Sequence, residues 1–217
     1  MLNFRIMDIE ALRREFKHDE LKEENLNPDA IKQFEKWFEQ AVHADILDVN
    51  AMTLATATKD GHPSARIVLL KGFDEACFTF FTNYQSKKGQ ELAENPKAAL
   101  LIYWKELDRQ VRIVGEVIKT SAADSDTYFN SRSMESRISA AISPQSQVVE
   151  SRRWLEEQWV QYLKKIENED FQRPLHWGGF LLQPKSIEFW QGRPNRLHDR
   201  IRYTRSNHDW LIERLAP

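Results

Sequence analysis

Residues 51–71 read AMTLATATKDGHPSARIVLLK. Ala51 to Thr58 is a run of small, apolar and β-branched residues, Asp60-Gly61 is a turn signal, and Ser64 to Lys71 is a second extended run. The pattern predicts two strands about a tight turn. Side chains alternate faces along a strand, which puts Arg66, Val68 and Leu70 on one face and Ile67, Leu69 and Lys71 on the other. Two cations thus bracket an apolar strand and point to opposite sides. Either they serve two different anions, or they sit at strand ends and reach to water.

The same texture continues downstream. Ala76 to Thr82 reads as a strand, and Ser86 caps a short helix that ends at Asn95-Pro96. Lys97 to Trp104 and Arg109 to Lys119 form another strand pair. Ser121 and Asp124 resemble a capping box opening a helix through Tyr128. Ser136 to Ile142 and Val148 to Glu167 read as helical, and Trp177 to Gln183, Ser186 to Gln191, Ile201 to Thr204 and Trp210 to Arg214 as strands. Upstream, Ile9, Leu12 and Phe16 recur at helical spacing after Asp8. A second helix starts at Asn27-Pro28, with Ile31, Phe34, Phe38 and Val42 on its apolar face. Short turns between strands favour a meander or barrel over a doubly wound parallel sheet. The expectation is an α+β fold: an N-terminal helical segment over residues 1–48, then a β-barrel with flanking helices over residues 49–217.

The 217 residues are 41% hydrophobic, enough for a sizeable core. Lys and Arg number 31 and Asp and Glu 33, a formal net charge of −2 that argues against general nucleic-acid binding. The single cysteine, Cys77, lies in an apolar run and reads as a buried structural thiol in a reducing compartment. No signal-peptide core and no membrane-length apolar run occur, so the expected location is the cytoplasm. The six histidines form no HxH or HExxH pair, and a metal site is not expected. GxGxxG, Walker A and GxSxG motifs are absent.

Three further constellations carry potential chemistry. In Phe81-Thr82-Asn83-Tyr84-Gln85-Ser86-Lys87-Lys88-Gly89, a strand runs through a polar turn into a helix start bearing two lysines. Those lysines oppose the helix dipole, and an anion there would relieve the conflict; an ordinary solvated helix start fits as well. Tyr128, Arg132 and Ser136, spaced i, i+4, i+8, would share one stripe of a continuous helix, where they suit a phosphate dianion or form a plain polar face. Arg196, His198 and Arg200, if extended, lie on one face and invite an anionic or electron-rich ligand, with Trp190 as a wall for a planar one. The alternative is a surface loop whose charges pair elsewhere.

Together these segments resemble the pyridoxamine 5′-phosphate oxidase family over nearly the whole chain, from Leu12-Arg13-Arg14-Glu15 to Glu213-Arg214-Leu215-Ala216-Pro217. The most specific stretches are Arg66 to Lys71, Arg109-Gln110-Val111-Arg112, Trp177-Gly178-Gly179-Phe180, and Ile187 to Gly192 followed by Arg196-Leu197-His198-Asp199-Arg200. The resemblance implies an FMN-binding split β-barrel and a homodimer with FMN at the subunit interface. By that analogy FMN would contact Arg66, Ile67, Val68, Leu69, Leu70, Lys71, Phe81 and Thr82. Lys87 and Lys88 would lie near its phosphate, and Gln110, Gln145, Ser146, Trp190 and Arg200 would complete its site. The substrate phosphate would fall to Lys71, Tyr128, Arg132 and Ser136, with Arg196, Leu197 and His198 flanking the ring and Arg13, Arg14, Glu15 and Phe16 forming a lid.

The implied reaction oxidises pyridoxamine or pyridoxine 5′-phosphate to pyridoxal 5′-phosphate. Hydride passes from substrate C4′ to flavin N5, and dioxygen reoxidises the flavin to give hydrogen peroxide. Arg196 and His198 are the candidates for orienting substrate and assisting proton movement. Three positions depart from the family pattern: Phe16 replaces the usual lid Tyr, Lys87 stands where Arg is common, and Ser143 to Gln147 varies around the expected Gln-Ser pair. Two rivals remain: a split-barrel flavin enzyme acting on a different reduced ring, and a non-catalytic flavin-binding module.

Overall fold

The computed structural model describes Phe16 and residues 19–166, 171–207 and 209–217. The predicted helix around Ile9 and Leu12 lies outside the described residues, as do Arg13, Arg14 and Glu15.

Among the described residues, nine strands form one antiparallel sheet: β1 (Ala51–Ala57), β2 (Pro63–Leu69), β3 (Gly72–Phe73), β4 (Phe78–Asn83), β5 (Lys97–Trp104), β6 (Arg109–Lys119), β7 (Trp177–Gln191), β8 (Asp199–Ser206) and β9 (Asp209–Arg214). The order across the sheet is β2-β1-β5-β6-β7-β4-β3, with β8 and β9 added on β7. β2 and β3, at opposite ends of that order, are separated only by Leu70 and Lys71. The Leu70 N–H donates to the Asn50 carbonyl on one side (2.8 Å), and the Lys71 N–H to the Thr79 carbonyl on the other (2.8 Å). One bent strand therefore closes the sheet into a barrel at Lys71. Beyond that point β2 pairs only with β1 and β4 only with β3 and β7, which leaves the barrel split along a seam between β2 and β4.

The alternation predicted for residues 51–71 places Met52, Leu54 and Thr56 inward and buried. Met52 and Leu54 meet Phe78, Phe80, Leu100, Ile102, Ile113, Leu182, Ile187 and Phe189 in the barrel interior. Trp177 to Gln191 is one strand, not the two expected. Its irregularity lies where Val114 pairs Ser186 and Gly115 pairs Pro184, leaving Lys185 as an extra residue. A side chain at Gly115 would run into the Gln183 backbone carbonyl, so only glycine admits this approach.

Helix α1 (Ala30–His43) starts two residues later than expected. Asp29 is the cap, its carboxylate accepting from the Ile31 and Lys32 N–H groups. Its buried face is Ala30, Ile31, Phe34, Trp37 and Ala41, which pack on the barrel core, while Val42 is exposed. α2 (Lys87–Glu94) is capped by Ser86 and α3 (Ala122–Ser131) by Ser121, as their sequences indicate. α4 (Met134–Ile142) and α5 (Arg152–Ile166) complete the helices. A smaller core of Phe129, Ile138, Phe171 and Trp177 lies beneath α3 and α4. Cys77 is buried, and burial pushes its thiol up. No helix among the described residues is long and apolar enough to cross a membrane.

Candidate active site

The seam between β2 and β4 opens into a cleft of about 600 Å³. Because β2 is a free edge there, side chains from both of its faces border the cleft: Arg66 and Val68 from one, Ile67 and Leu69 from the other. Lys71, at the bend, borders it too. The two cations expected on opposite sides therefore open on the same space, at different places along it. Leu70 does not reach it, being buried in the barrel core.

One end of the cleft is built by α2 and the strands beside it. Lys88 is buried, and its Nζ donates to Gln145 Oε1 (2.8 Å), Thr82 Oγ1 (3.2 Å) and Ser86 Oγ (3.3 Å). Burial, and after it the nearby Arg66 charge, lower this ammonium to about 8. Arg66 Nη1 donates to the Leu54 carbonyl (3.1 Å) and Thr56 Oγ1 (2.5 Å), and Nη2 to Ser64 Oγ and Glu91 Oε2 (3.3 Å). Burial works against ionisation of Glu91. Hydrogen bonds from Ser64 and Thr56, with the Arg66 charge, outweigh it and hold the carboxyl below its ordinary value. Lys87 points away, exposed, 4.0 Å from Glu91 Oε1. Ser146 is exposed with φ 74° and does not border the cleft.

The other end is aromatic and cationic. Phe81 stacks on Tyr128 with ring centroids 4.0 Å apart and on Trp177 at 5.7 Å. Lys71 Nζ stands 5.9 Å from the Tyr128 ring, and the Arg132 guanidinium lies over Trp177 at 4.6 Å. The single helical stripe expected for Tyr128, Arg132 and Ser136 is not formed. The helix breaks at Arg132 and Ser133, whose extended backbones end α3 and begin α4. All three residues still border the cleft, and the break adds the N-terminus of α4, capped by Ser133. Arg132 Nη1 is buried and without a hydrogen-bond partner among the described residues. A buried guanidinium N–H lacking an acceptor, beside free helix N–H groups, has the donor set of an anion site.

A second cluster lies on the outer face of β6, β7 and β8. Register pairs Gln110 with Trp190 and Trp190 with Arg200, so these three sit side by side in one row. Glu188, buried in the next row, accepts from Arg200 Nε (2.9 Å) and from Arg112 Nη2. Arg196 and His198 do not lie in an extended strand with Arg200, which was the condition for the three sharing one face. Residues Pro194–Arg196 form a 3-10 turn with Asn195 and Arg196 at positive φ, and β8 begins only at Asp199. The turn lays His198 on Trp190 with ring centroids 4.7 Å apart. His198 Nδ1 accepts the Arg193 N–H (3.1 Å), which leaves the ring proton on Nε2. Burial, then the Arg196 charge, lower the imidazole, favouring the neutral ring. Arg196 is exposed and has no hydrogen-bond or ion-pair partner among the described residues. Leu197 is exposed beside it. Phe16 meets His198 and Trp190 edge-on at 5.1 and 5.6 Å, in a space kept open by Gly192.

Sequence reading gave no role to Trp177, Ser131, Ser133, Thr56, Ser64 or Glu91. Trp177 stood in a quoted motif. Ser133 had a detectable signal, a hydroxyl residue just before a helical run. The Thr56, Ser64 and Glu91 network depends on strand register and had none.

These features define a class: a split-barrel protein with a cleft at its seam that is cationic at both ends. A family model described as pyridoxamine 5′-phosphate oxidase matches residues 38–163, and one described as the pyridoxine 5′-phosphate oxidase C-terminal dimerisation region matches residues 177–217. The chain belongs to the pyridoxamine 5′-phosphate oxidase family, a family of oxidoreductases. It is 54% identical over 210 residues to a pyridoxine/pyridoxamine 5′-phosphate oxidase of Nostoc sp., covering 96% of this chain and 98% of that one. Among solved structures, it is similar to PhzG from Burkholderia lata, in complex with tetrahydrophenazine-1-carboxylic acid. That similarity has a TM-score of 0.86 and 30% identity, over 92% of this chain and 99% of that chain. A pyridoxamine 5′-phosphate oxidase-related, FMN-binding protein of Nostoc punctiforme shares the fold, with a TM-score of 0.71 and 17% identity over 88% of this chain and 99% of that chain.

Proposed function

We propose that the protein oxidises pyridoxamine 5′-phosphate or pyridoxine 5′-phosphate to pyridoxal 5′-phosphate with FMN as cofactor and dioxygen as acceptor. The observation that carries this reading is the single cleft with separate cationic ends: Arg66 and Lys88 at one, Lys71, Arg132 and the α4 N-terminus at the other. Two phosphorylated ligands lying together need that arrangement. Arg66 and Lys88 with Thr82 and Gln145 would hold the FMN phosphate, and Lys71, Tyr128, Arg132 and Ser136 that of the substrate.

The working unit on this reading is a homodimer. Trp177 borders the cleft and Trp190 carries the second cluster, yet both lie on β7, thirteen residues apart. That is roughly 40 Å of strand, too far for both to bound one flavin in one chain. A second copy would bring Gln110, Trp190, Arg196, His198 and Arg200 to the cleft, and the matched C-terminal dimerisation region supports this.

When bound, FMN supplies the acceptor for the hydride leaving substrate C4′ and passes the electrons to dioxygen, yielding hydrogen peroxide. The chain's own part is placement. Lys71 and Arg132 anchor the substrate phosphate, and Arg196 sets the ring's orientation. His198, neutral with its proton on Nε2, donates a hydrogen bond to the substrate's polar group. Phe16 backs His198, with Arg13, Arg14 and Glu15 as the remainder of a lid.

The test is spectroscopic. The purified protein, loaded with FMN, is mixed with pyridoxamine 5′-phosphate in the absence of oxygen and of any other electron donor. Bleaching of the flavin bands, reversed by air with formation of hydrogen peroxide, is the expected result. A stable yellow protein indifferent to the substrate would make it a flavin-binding module, and a protein unable to take up FMN would reject the flavin reading altogether.

A further inference from the structure

We propose that Glu91 is a positioning residue for the phosphate end of the cleft: its carboxylate ties Arg66 on β2 to the first turns of α2 and so fixes Arg66 relative to Lys88. The inference rests on the assignment of that end to the FMN phosphate.

Three donors converge on one oxygen of Glu91. Thr56 Oγ1 and Ser64 Oγ donate to Oε2 at 2.5 and 2.6 Å, and Arg66 Nη2 at 3.3 Å. Thr56 and Ser64 are register partners on β1 and β2, and Ser64 and Arg66 share a face of β2. The network therefore gathers two strands and clamps the Arg66 head group from behind. Glu91 itself is carried by α2, one turn beyond Lys88, whose ammonium borders the cleft. Arg66 and Lys88 come from different elements, and no hydrogen bond among the described residues joins them directly. Glu91 is the group through which their spacing is set.

Burying a carboxylate is costly unless it is paired. Glu91 is 3% exposed, and its second oxygen, Oε1, has no hydrogen-bond partner among the described residues; Lys87 Nζ stands 4.0 Å from it. A residue needed only to fill space would be better served there by leucine, which accepts no hydrogen bond. An ionised group at this position is accounted for by what it holds. It also offsets two cations crowded into one buried end, where Arg66 repels Lys88 and Glu91 attracts it.

Apoprotein is titrated with FMN, following quenching of flavin fluorescence, and the holoprotein is examined by phosphorus NMR and visible spectroscopy. Glu91→Ala is expected to raise the FMN dissociation constant about tenfold or more. It should also shift the phosphorus resonance of bound FMN, with the visible flavin bands in place. Glu91→Gln can keep an acceptor where Oε2 stands, and is expected to stay within about threefold of the parent. If Glu91→Ala does not fold, Thr56→Val removes one strut and is expected to move the dissociation constant and the phosphorus resonance in the same sense.

Unchanged binding and phosphorus resonance in the Glu91→Ala protein, or in Thr56→Val where Glu91→Ala does not fold, would overturn the proposal. So would a shift of the visible bands alongside, which would mean general collapse of the cleft, or an equal loss in Glu91→Gln, which would make charge the whole effect. Failure of the parent protein to bind FMN would instead reject the flavin assignment.

Discussion

The seam cleft and the outer row on β6 to β8 are both cationic and aromatic, yet they are built in opposite ways. At the α2 end of the cleft the charged groups are tied down: Lys88 has three acceptors, and four hydrogen bonds hold Arg66. On the outer row Arg196 stands exposed, without a hydrogen-bond or ion-pair partner among the described residues, on a turn with positive φ. Groups that only bind can be preorganised by the chain that carries them. A group that must meet a substrate held elsewhere has to be left open, and the strain of a left-handed residue at Arg196 is what presents it.

The largest expected effect tests that division. Arg196→Ala should cut substrate turnover by about a hundredfold or more while leaving FMN content within about twofold, because the groups proposed to grip the flavin phosphate are Arg66, Lys88, Thr82 and Gln145, not Arg196. Parallel loss of turnover and of flavin would merge the two regions into one and remove the distinction. A second experiment asks whether they meet across subunits. Arg132→Ala and Arg196→Ala, each inactive alone, are unfolded and refolded together. If one site draws Arg132 from one copy and Arg196 from the other, random mixing makes half the dimers hybrid, each with one intact site. About a quarter of parental activity should then return. No recovery from properly mixed dimers would put both residues on the same chain's site.

The same contrast explains what could be read from the sequence. The barrel was legible because alternation in residues 51–57 and 97–119 sets buried against exposed faces directly. Cap residues Ser86 and Ser121 marked their helices because a hydroxyl there satisfies N–H groups that the helix leaves open. Arg66, Lys71, Tyr128, Arg132 and Ser136 all border one cleft, but not by the spacing that drew attention to them. Strand alternation could not foresee that the seam exposes both faces of β2, and helical spacing could not foresee the break at Arg132. The turn at Pro194–Arg196 was missed because it needs positive φ at Asn195 and Arg196, which a pattern of alternating charges does not reveal. Glu91 was missed since its partners lie 27 and 35 residues away and meet it only through register.

A smaller effect separates the two regions by pH. Lys88 is lowered to about 8, so in the apoprotein it loses its proton well before an unfolded lysine would, at about 10.5. Between those values the unfolded chain binds more protons than the folded one. Its contribution to apoprotein stability therefore increases as pH rises from about 8 to 10.5. Phosphate binding runs the other way, because it needs the charged form. FMN affinity should weaken by about tenfold between pH 7 and 9, and Lys88→Met should abolish most of that dependence. Affinity flat across the range in the parent protein would place Lys88 away from the phosphate.

The smallest expected change concerns Phe16. Its ring meets His198 and Trp190 edge-on, in a space that a side chain at Gly192 would close. If the ring's role is to back the imidazole, the missing hydroxyl matters little: Phe16→Tyr should leave FMN content unaltered and KM within about threefold. Phe16→Ala, which removes the wall, should raise KM by roughly fivefold or more while leaving the flavin in place. A Tyr variant that raised kcat by about tenfold would show that a hydrogen-bonding group is wanted there, and that the outer row is tuned at this position by polarity and not by packing.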